Sequence, residues 1–220
     1  MATFLQANTI LNAWHKAVKE VYLNGATIID ENDTETREIL DLIIEIRNPN
    51  IQIGEHEFWK TDAIERYCEQ LLDSSKGSFS YTYGNRLRSH FISNPLLDPK
   101  KIDQIEKVIR RLEKGNNTRK AVAVLFDPTV DHDADDIPCI DLIDFKIRNK
   151  KLYLSAYWRS NDIYGAYYAN VKGLKYVADF VAEKTNSELK RITTHGGSAH
   201  ILKYDFVAAE ELAMMDKMKK

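Results

Sequence analysis

The stretch DDIPCIDLIDF, residues 135–145, sets Cys139 directly after Pro138, at the start of a strand-like run. A cysteine in such a place is either a small buried hydrophobe or a nucleophile, and the nucleophilic form is the thiolate. Cys68, the second cysteine, falls on the apolar stripe of a predicted helix with Ile64, Tyr67, Leu71 and Leu72, and packing alone explains it. Two cysteines with no CxxC spacing make neither a disulfide framework nor a zinc site, so no metal is expected.

The elements that must position Cys139 come next. CIDLIDFKIR (139–148) and KLYLSAYWRS (151–160) both read as strands, joined at Asn149-Lys150. A two-residue turn there places Cys139 opposite Ser160, with Arg159 beside it. A guanidinium next to a thiol favours the thiolate. Regular alternation nevertheless sends Arg159 and Cys139 to opposite faces, so a bulge or a twisted strand end is required to bring them together.

Around this hairpin helices and strands mix, with no repeat and no low-complexity linker. Asn8 or Thr9 caps a helix whose Ile10, Trp14, Val18 and Val21 share a face, stopped by Asn24-Gly25. Residues 37–46 are strand-like in their second half. Thr61-Asp62 caps the helix that carries Cys68. Asp98-Pro99 opens a third helix with Ile102, Ile105, Ile109 and Leu112 as its stripe and Gly115 past its end. RKAVAVLF (119–126) reads as a strand. A helix over about 162–184 follows the hairpin, then the strand LKRITT, the polar turn HGGSAH and a short final helix with a basic end. The pattern predicts an α/β or α+β fold with a mixed sheet flanked by helices, residues 1–220 forming one domain.

Composition excludes several classes. Of the 220 residues, 44% are hydrophobic and 29% charged, and the net charge is −2. That charge argues against a binder of polymeric nucleic acid, which needs a strong positive excess. No run approaches the roughly 20 apolar residues that span a bilayer, and the N-terminus lacks a secretion signal. A cytoplasmic enzyme with no membrane partner is expected.

The segments PC at 138–139, RSND at 159–162, Asn170 and HGGSAHI at 195–201 resemble the active-site segments of thymidylate synthase, with the spacing of that family: 20 positions from Cys139 to Arg159 and 11 from Arg159 to Asn170. YGNRLR (83–88) is similar to its YGxxxR segment, and Arg119-Lys120 to its paired-basic phosphate loop. The short length resembles the archaeal-type branch of the family, and viral hydroxymethylases of the same superfamily share much of the set.

The resemblance implies a thymidylate-synthase-like fold, with sheet packed on sheet in a homodimer and each active site shared between subunits. It implies dUMP as nucleotide, and 5,10-methylene-tetrahydrofolate or a tetrahydromethanopterin analogue as co-substrate. Cys139 is then the nucleophile that adds to C6 of uracil, a role that needs a thiol more acidic than the usual value of about 8.5. Arg159 assists it and contacts the phosphate, Ser160 adds a hydroxyl there, and Arg119 and Lys120 reach the phosphate from the other subunit. Asn170 reads the base, since an amide offers the donor and acceptor that match the uracil N3–H and O4 edge. His200 contacts the sugar 3′-hydroxyl, Tyr83 helps remove the C5 proton, and Asp162 binds the pterin, with a helix N-cap as a rival reading of Asp162 that is compatible with pterin binding.

Several positions depart from the family pattern. Leu202 stands in place of a sugar-binding tyrosine, with Tyr204 nearby as a candidate substitute. Ser198 replaces an aspartate, Ile140 a histidine and Trp158 a glutamine, and Glu31 stands where a phosphate arginine is expected, with Arg37 as its substitute. Glu57, Glu65 and Glu69 are all candidates for the catalytic glutamate. The chain ends about 20 residues after HGGSAHI, without the family's longer closing tail. Two further readings therefore accompany dUMP methylation: a pyrimidine-nucleotide hydroxymethylase, in which water captures the exocyclic methylene, and a nucleotide-binding relative without turnover.

Overall fold

A computed structural model describes residues 1–52, 59–92, 100–115 and 117–215. The chain opens with a short strand, β1 (Thr3–Ala7), and then α1 (Ile10–Asn24), where the Thr9 hydroxyl accepts from the Asn12 amide at 3.2 Å. Ile10, Trp14, Val18 and Val21 are buried on one face of α1, as the periodicity requires. β2 (Ala26–Ile29) and β3 (Glu35–Ile46) follow, then α2 (Thr61–Gln70), α3 (Tyr83–Arg88), and the short pair β4 (His90–Ile92) and β5 (Lys100–Ile102). Next come α4 (Gln104–Lys114), β6 (Ala121–Val124), β7 (Ile140–Arg148), β8 (Lys151–Asp162), α5 (Tyr167–Lys184), β9 (Glu188–Leu202) and α6 (Phe206–Met214).

The main sheet is mixed, in the order β1-β3-β9-β8-β7-β6, with β2 paired to one end of β3. β1 runs parallel to β3 and β8 parallel to β9, and the other pairs are antiparallel. Helices α1, α4 and α5 pack on the sheet. Ile143, Phe145, Ile147, Leu152, Leu154 and Trp158 of the central hairpin are buried in the core. On β6 Ala121 and Ala123 are buried, while the alternate residues Val122 and Val124 are 42% and 46% exposed and Leu142 of β7 is 37% exposed. One face of this end of the sheet is therefore uncovered and partly apolar. Among the described residues no helix is long and apolar enough to cross a membrane.

Some predicted boundaries move, each for a local reason. No side chain caps α2, whose N-cap position is Lys60, so Thr61 and Asp62 lie inside its first turn. Asp103 caps α4 by accepting from the Glu106 amide at 2.9 Å, and Ile102 belongs to β5 instead of the helix stripe. The predicted Asp98-Pro99 start lies outside the described residues. β8 continues to Asp162, which delays α5 to Tyr167. The largest correction is HGGSAH. It is no turn but the outer half of β9, paired on one side with β3 and on the other with β8.

Candidate active site

Asn149 and Lys150 both adopt left-handed φ angles, 51° and 60°, as a tight two-residue hairpin turn demands. From that turn the pairing runs in simple register, Arg148 to Lys151 up to Leu142 to Tyr157. There it slips by one. Ile140 pairs with Trp158, leaving Asp141 at a β-bulge, and the Arg159 amide donates to the Cys139 carbonyl at 3.0 Å. Cys139 thus faces Arg159, where unbroken register would have put Ser160. The bulge does what the alternation argument asked of it, because an extra residue on one strand re-aims the side chains beyond it.

Arg159 is fixed by the loop that leads into the nucleophile. Its Nε donates to the Pro138 carbonyl and its Nη2 to the Ile137 carbonyl, each at 3.0 Å. Tyr83, the first residue of α3, completes the setting, its hydroxyl close enough to the Cys139 thiol and the Ile140 backbone to act on both. Arg86 of the same helix forms a buried ion pair with Asp131 at 2.5 Å. Gly84 lies so close to the end of α2 that a Cβ there would come within 1.9 Å of the Gln70 carbonyl oxygen. Only glycine allows α3 to sit where Tyr83 reaches the thiol.

Burial pushes the Cys139 thiol above its ordinary range. Arg159 and the Tyr83 hydrogen bond act the other way, while the Asp141 and Asp136 carboxylates reinforce the rise. This corrects the expectation of an acidified thiol: the arginine is present, but desolvation outweighs it in the ligand-free chain. Burial also drives the Tyr83 and Tyr67 phenols far upward and Tyr81 to about 12, so all three stay protonated at neutral pH. These tyrosines, each electrostatically coupled to Cys139, line a cleft of about 280 Å³ together with Phe79 and Asp136.

Asn170 is buried in the first turn of α5, and its Oδ1 accepts from the Tyr67 hydroxyl. That bond fixes which way the amide points. Asp162 and His200 are paired residues on the parallel strands β8 and β9, and the Ile163 amide donates to the His200 carbonyl at 2.9 Å. Asp162 is not the N-cap of α5, a position held by Ala166. Its Oδ1 instead accepts from the Gly165 amide at 2.9 Å and shapes the turn between β8 and α5. Burial raises its carboxyl, which the backbone amides of Gly165 and Tyr164 and the charge of His200 oppose. The turn is tied down by two indoles: Trp14 donates to the Tyr164 carbonyl at 3.2 Å and Trp59 to the Gly165 carbonyl at 3.0 Å.

Cys139 faces Arg159 across a bulge with Tyr83 close by, while Asn170, Asp162 and His200 lie in the first turn of α5 and at the ends of β8 and β9. The thymidylate synthase family model matches residues 14–218. The chain belongs to the thymidylate synthase family. Curated relatives named "Putative thymidylate synthase" are 39% identical in Methanothermobacter thermautotrophicus, over 96% of this chain and 99% of the relative, and 37% identical in Methanothermobacter marburgensis, over 96% and 98%. A third with the same name, from Methanocaldococcus jannaschii, is 33% identical over 88% and 87%.

Within this thymidylate synthase family member the remaining predicted residues fall in two groups. Ser160 follows Arg159 on β8, opposite Ser198 of β9, whose hydroxyl donates to Glu38 at 2.5 Å. Arg119 and Lys120 stand apart, exposed just before β6. Ala121 pairs with Phe145, in the second half of the β7 strand that Cys139 precedes, which puts the basic pair about 20 Å along the strand from Cys139 of its own chain at about 3.3 Å per residue. Arg37 donates to the Tyr22 carbonyl and stacks on the Tyr22 and Phe206 rings, so it is committed to packing α1 against α6. Glu65 and Glu69 line a different cleft, of about 350 Å³, with Cys68, and Glu57 lies outside the described residues. Tyr204 is 74% exposed. Sequence reasoning missed Tyr67, Tyr81 and Asp141. Tyr67 had been assigned to a core stripe, and the others carried no spacing signal.

Proposed function

We propose that this protein is a thymidylate synthase acting as one catalytic domain over residues 1–220, methylating dUMP at C5 to give dTMP. The observation that carries the reading is the Cys139 thiol, braced by Tyr83 and faced by Arg159 across the bulge, in a chain of this family. The thiolate of Cys139 adds to C6 and the C5=C6 electron pair moves onto the C4 carbonyl oxygen, which makes C5 nucleophilic. Asn170 holds the base, its Nδ2 donating to O4 and its Oδ1 accepting from N3–H while sharing that oxygen with Tyr67. Tyr83, kept protonated by burial, passes the C5 proton on through a bound water, and the C6–S bond then breaks to return the thiol. His200 takes the 3′-hydroxyl, and Arg159 with Ser160 takes the phosphate.

The co-substrate is 5,10-methylene-tetrahydrofolate or a tetrahydromethanopterin analogue. When bound it supplies the one-carbon unit and the hydride. Asp162 fits the pterin end of such a group, since an acceptor-only carboxylate suits ring N–H donors and the Gly165 turn holds it in place. Incubation with dUMP, dCMP and methylene-tetrahydrofolate followed by mass analysis tests the reading. dTMP is expected, and a hydroxymethyl nucleotide, or no product with either the methylene-tetrahydrofolate or the methylene-tetrahydromethanopterin carrier, removes it.

The active form is a homodimer with shared sites. A phosphate monoester carries nearly two negative charges, which Arg159 alone leaves under-neutralised. Arg119 and Lys120 cannot supply the rest within their own chain at about 20 Å. The exposed Val122, Val124 and Leu142 give the uncovered sheet face an apolar surface for a second copy. A mixture of Cys139→Ser and Arg119→Ala proteins, each inactive alone, is expected to regain turnover on subunit exchange, because one site of the mixed dimer keeps both groups. An active monomer, or no recovery despite demonstrated exchange, sinks the cross-subunit role.

A further inference from the structure

Asp141 occupies the β-bulge itself, two residues beyond the nucleophile, and no role has been assigned to it. Its main-chain carbonyl accepts from the Leu125 amide at 2.7 Å and the Phe126 amide at 3.3 Å, fastening the bulge to the end of β6. Its side chain is less well served. Oδ1 is buried and makes no hydrogen bond. A buried carboxylate oxygen without a hydrogen bond is costly unless a cation compensates it. The cation acting on Asp141 is Arg159, and Asp141 in turn acts on the Cys139 thiol.

The guanidinium therefore has two claimants, the Asp141 carboxylate and the Cys139 thiol. The loop carbonyls of Ile137 and Pro138 fix its Nε and Nη2, so it cannot swing wholly toward either. We propose that Asp141 is a positioning residue of the Cys139 site: its carboxylate draws on the guanidinium that faces the thiol, so that Arg159 is divided between the two. Asp141 thus restrains the nucleophile. Burial pushes the Asp141 carboxyl up as well, with Arg159 opposing, consistent with a carboxylate that depends on this one cation. The inference rests on Cys139 being the nucleophile of the proposed reaction. The groups acting on the thiol are Asp141 of β7, Arg159 of β8, Tyr83 of α3, Tyr67 of α2, and Tyr81 and Asp136 from the loops.

The test is the pH dependence of Cys139 alkylation by iodoacetamide in the full-length, nucleotide-free protein, read by peptide mass spectrometry so that buried Cys68 is scored separately. The thiolate displaces iodide and forms the new C–S bond, so the rate follows the thiolate fraction. Asp141→Asn removes a negative neighbour and releases Arg159 to the thiol. Its profile is expected to move to lower pH, with alkylation at pH 7 at least about threefold faster. Asp144→Asn, a carboxylate on the same strand paired with Lys146, should leave the profile in place. Asp141→Ser, smaller and also neutral, gives the same shift if the asparagine is poorly tolerated. An unmoved profile, or one moved to higher pH, in a variant with the parental melting temperature overturns the proposal. Failure of both variants to fold overturns it too, by assigning Asp141 to packing. Because alkylation needs no nucleotide, this result is independent of whether Cys139→Ser abolishes turnover.

Discussion

Cys139→Ser is expected to lose turnover by a factor on the order of 10⁴ or more, since removal of a covalent nucleophile leaves only binding and electrostatics to act. The replacement isolates that role. Serine is nearly the same size, and its hydroxyl retains a partner for Tyr83, while Arg159 remains fixed by the carbonyls of residues 137 and 138. Only the capacity to form a thiolate disappears, because an alcohol is far less acidic than a thiol. The matched control is Cys68→Ser. Cys68 is 7% exposed on α2, and burial pushes its thiol up too, so it contributes packing and no chemistry. That variant should retain most activity and lose about 1 kcal/mol of stability. Initial rates of product formation and melting curves for the two variants decide the matter. Near-normal turnover in Cys139→Ser would falsify the covalent step and with it the whole catalytic reading.

The second large effect concerns the base. Asn170→Asp keeps an acceptor for the Tyr67 hydroxyl, so the α2–α5 contact survives and the change is confined to the Nδ2 donor. The position is buried, and burial favours the neutral form of a carboxylic acid. Unlike an amide, a carboxylic acid can carry its proton on either oxygen: with the proton on the oxygen that faces N3 it donates there and accepts from N4–H₂ at the other, the pattern that cytosine requires and the inverse of the Asn170 arrangement. A buried donor–acceptor mismatch costs discrimination on the order of 10⁴-fold. The ratio of kcat/KM for dUMP over dCMP is therefore expected to fall by several orders of magnitude in Asn170→Asp, with most of the change a gain in the dCMP term. Comparable rates on the two nucleotides in the unmutated protein would remove Asn170 from base recognition.

How far the sequence foretold this arrangement depends on which force decided each feature. The Asn149-Lys150 turn is local chemistry, and its register led directly to the need for a bulge near Cys139. The α1 stripe was equally plain, and its cap was narrowed to Asn8 or Thr9, of which the fold uses Thr9. HGGSAH misled because two glycines and polar neighbours signal a turn, whereas pairing with both β3 and β8 holds the segment extended. β1 was missed because five residues carry little periodicity, and its partner β3 lies some forty positions away. Asp162 looked like a helix cap because its residue type suits one, but β8 runs on to it, a tertiary fact invisible in the local pattern. The ionisation of Cys139 was misjudged for a similar reason. Arg159 is legible in the spacing, but the desolvation that opposes it belongs to the folded surroundings.

The two indole bonds to the turn after β8 have an optical consequence. The chain has three tryptophans, and all bear on one region: Trp14 and Trp59 hold the carbonyls of Tyr164 and Gly165, and Trp158 directly precedes Arg159 in the core. Trp14 and Trp158 are fully buried, while Trp59 is only partly so. Intrinsic emission is thus a label already built in beside the carboxylate turn, with Trp59 as the fluorophore most open to quenching. A pterin seated there would change the surroundings of Trp59 and announce its arrival as a change in emission before any chemistry occurs.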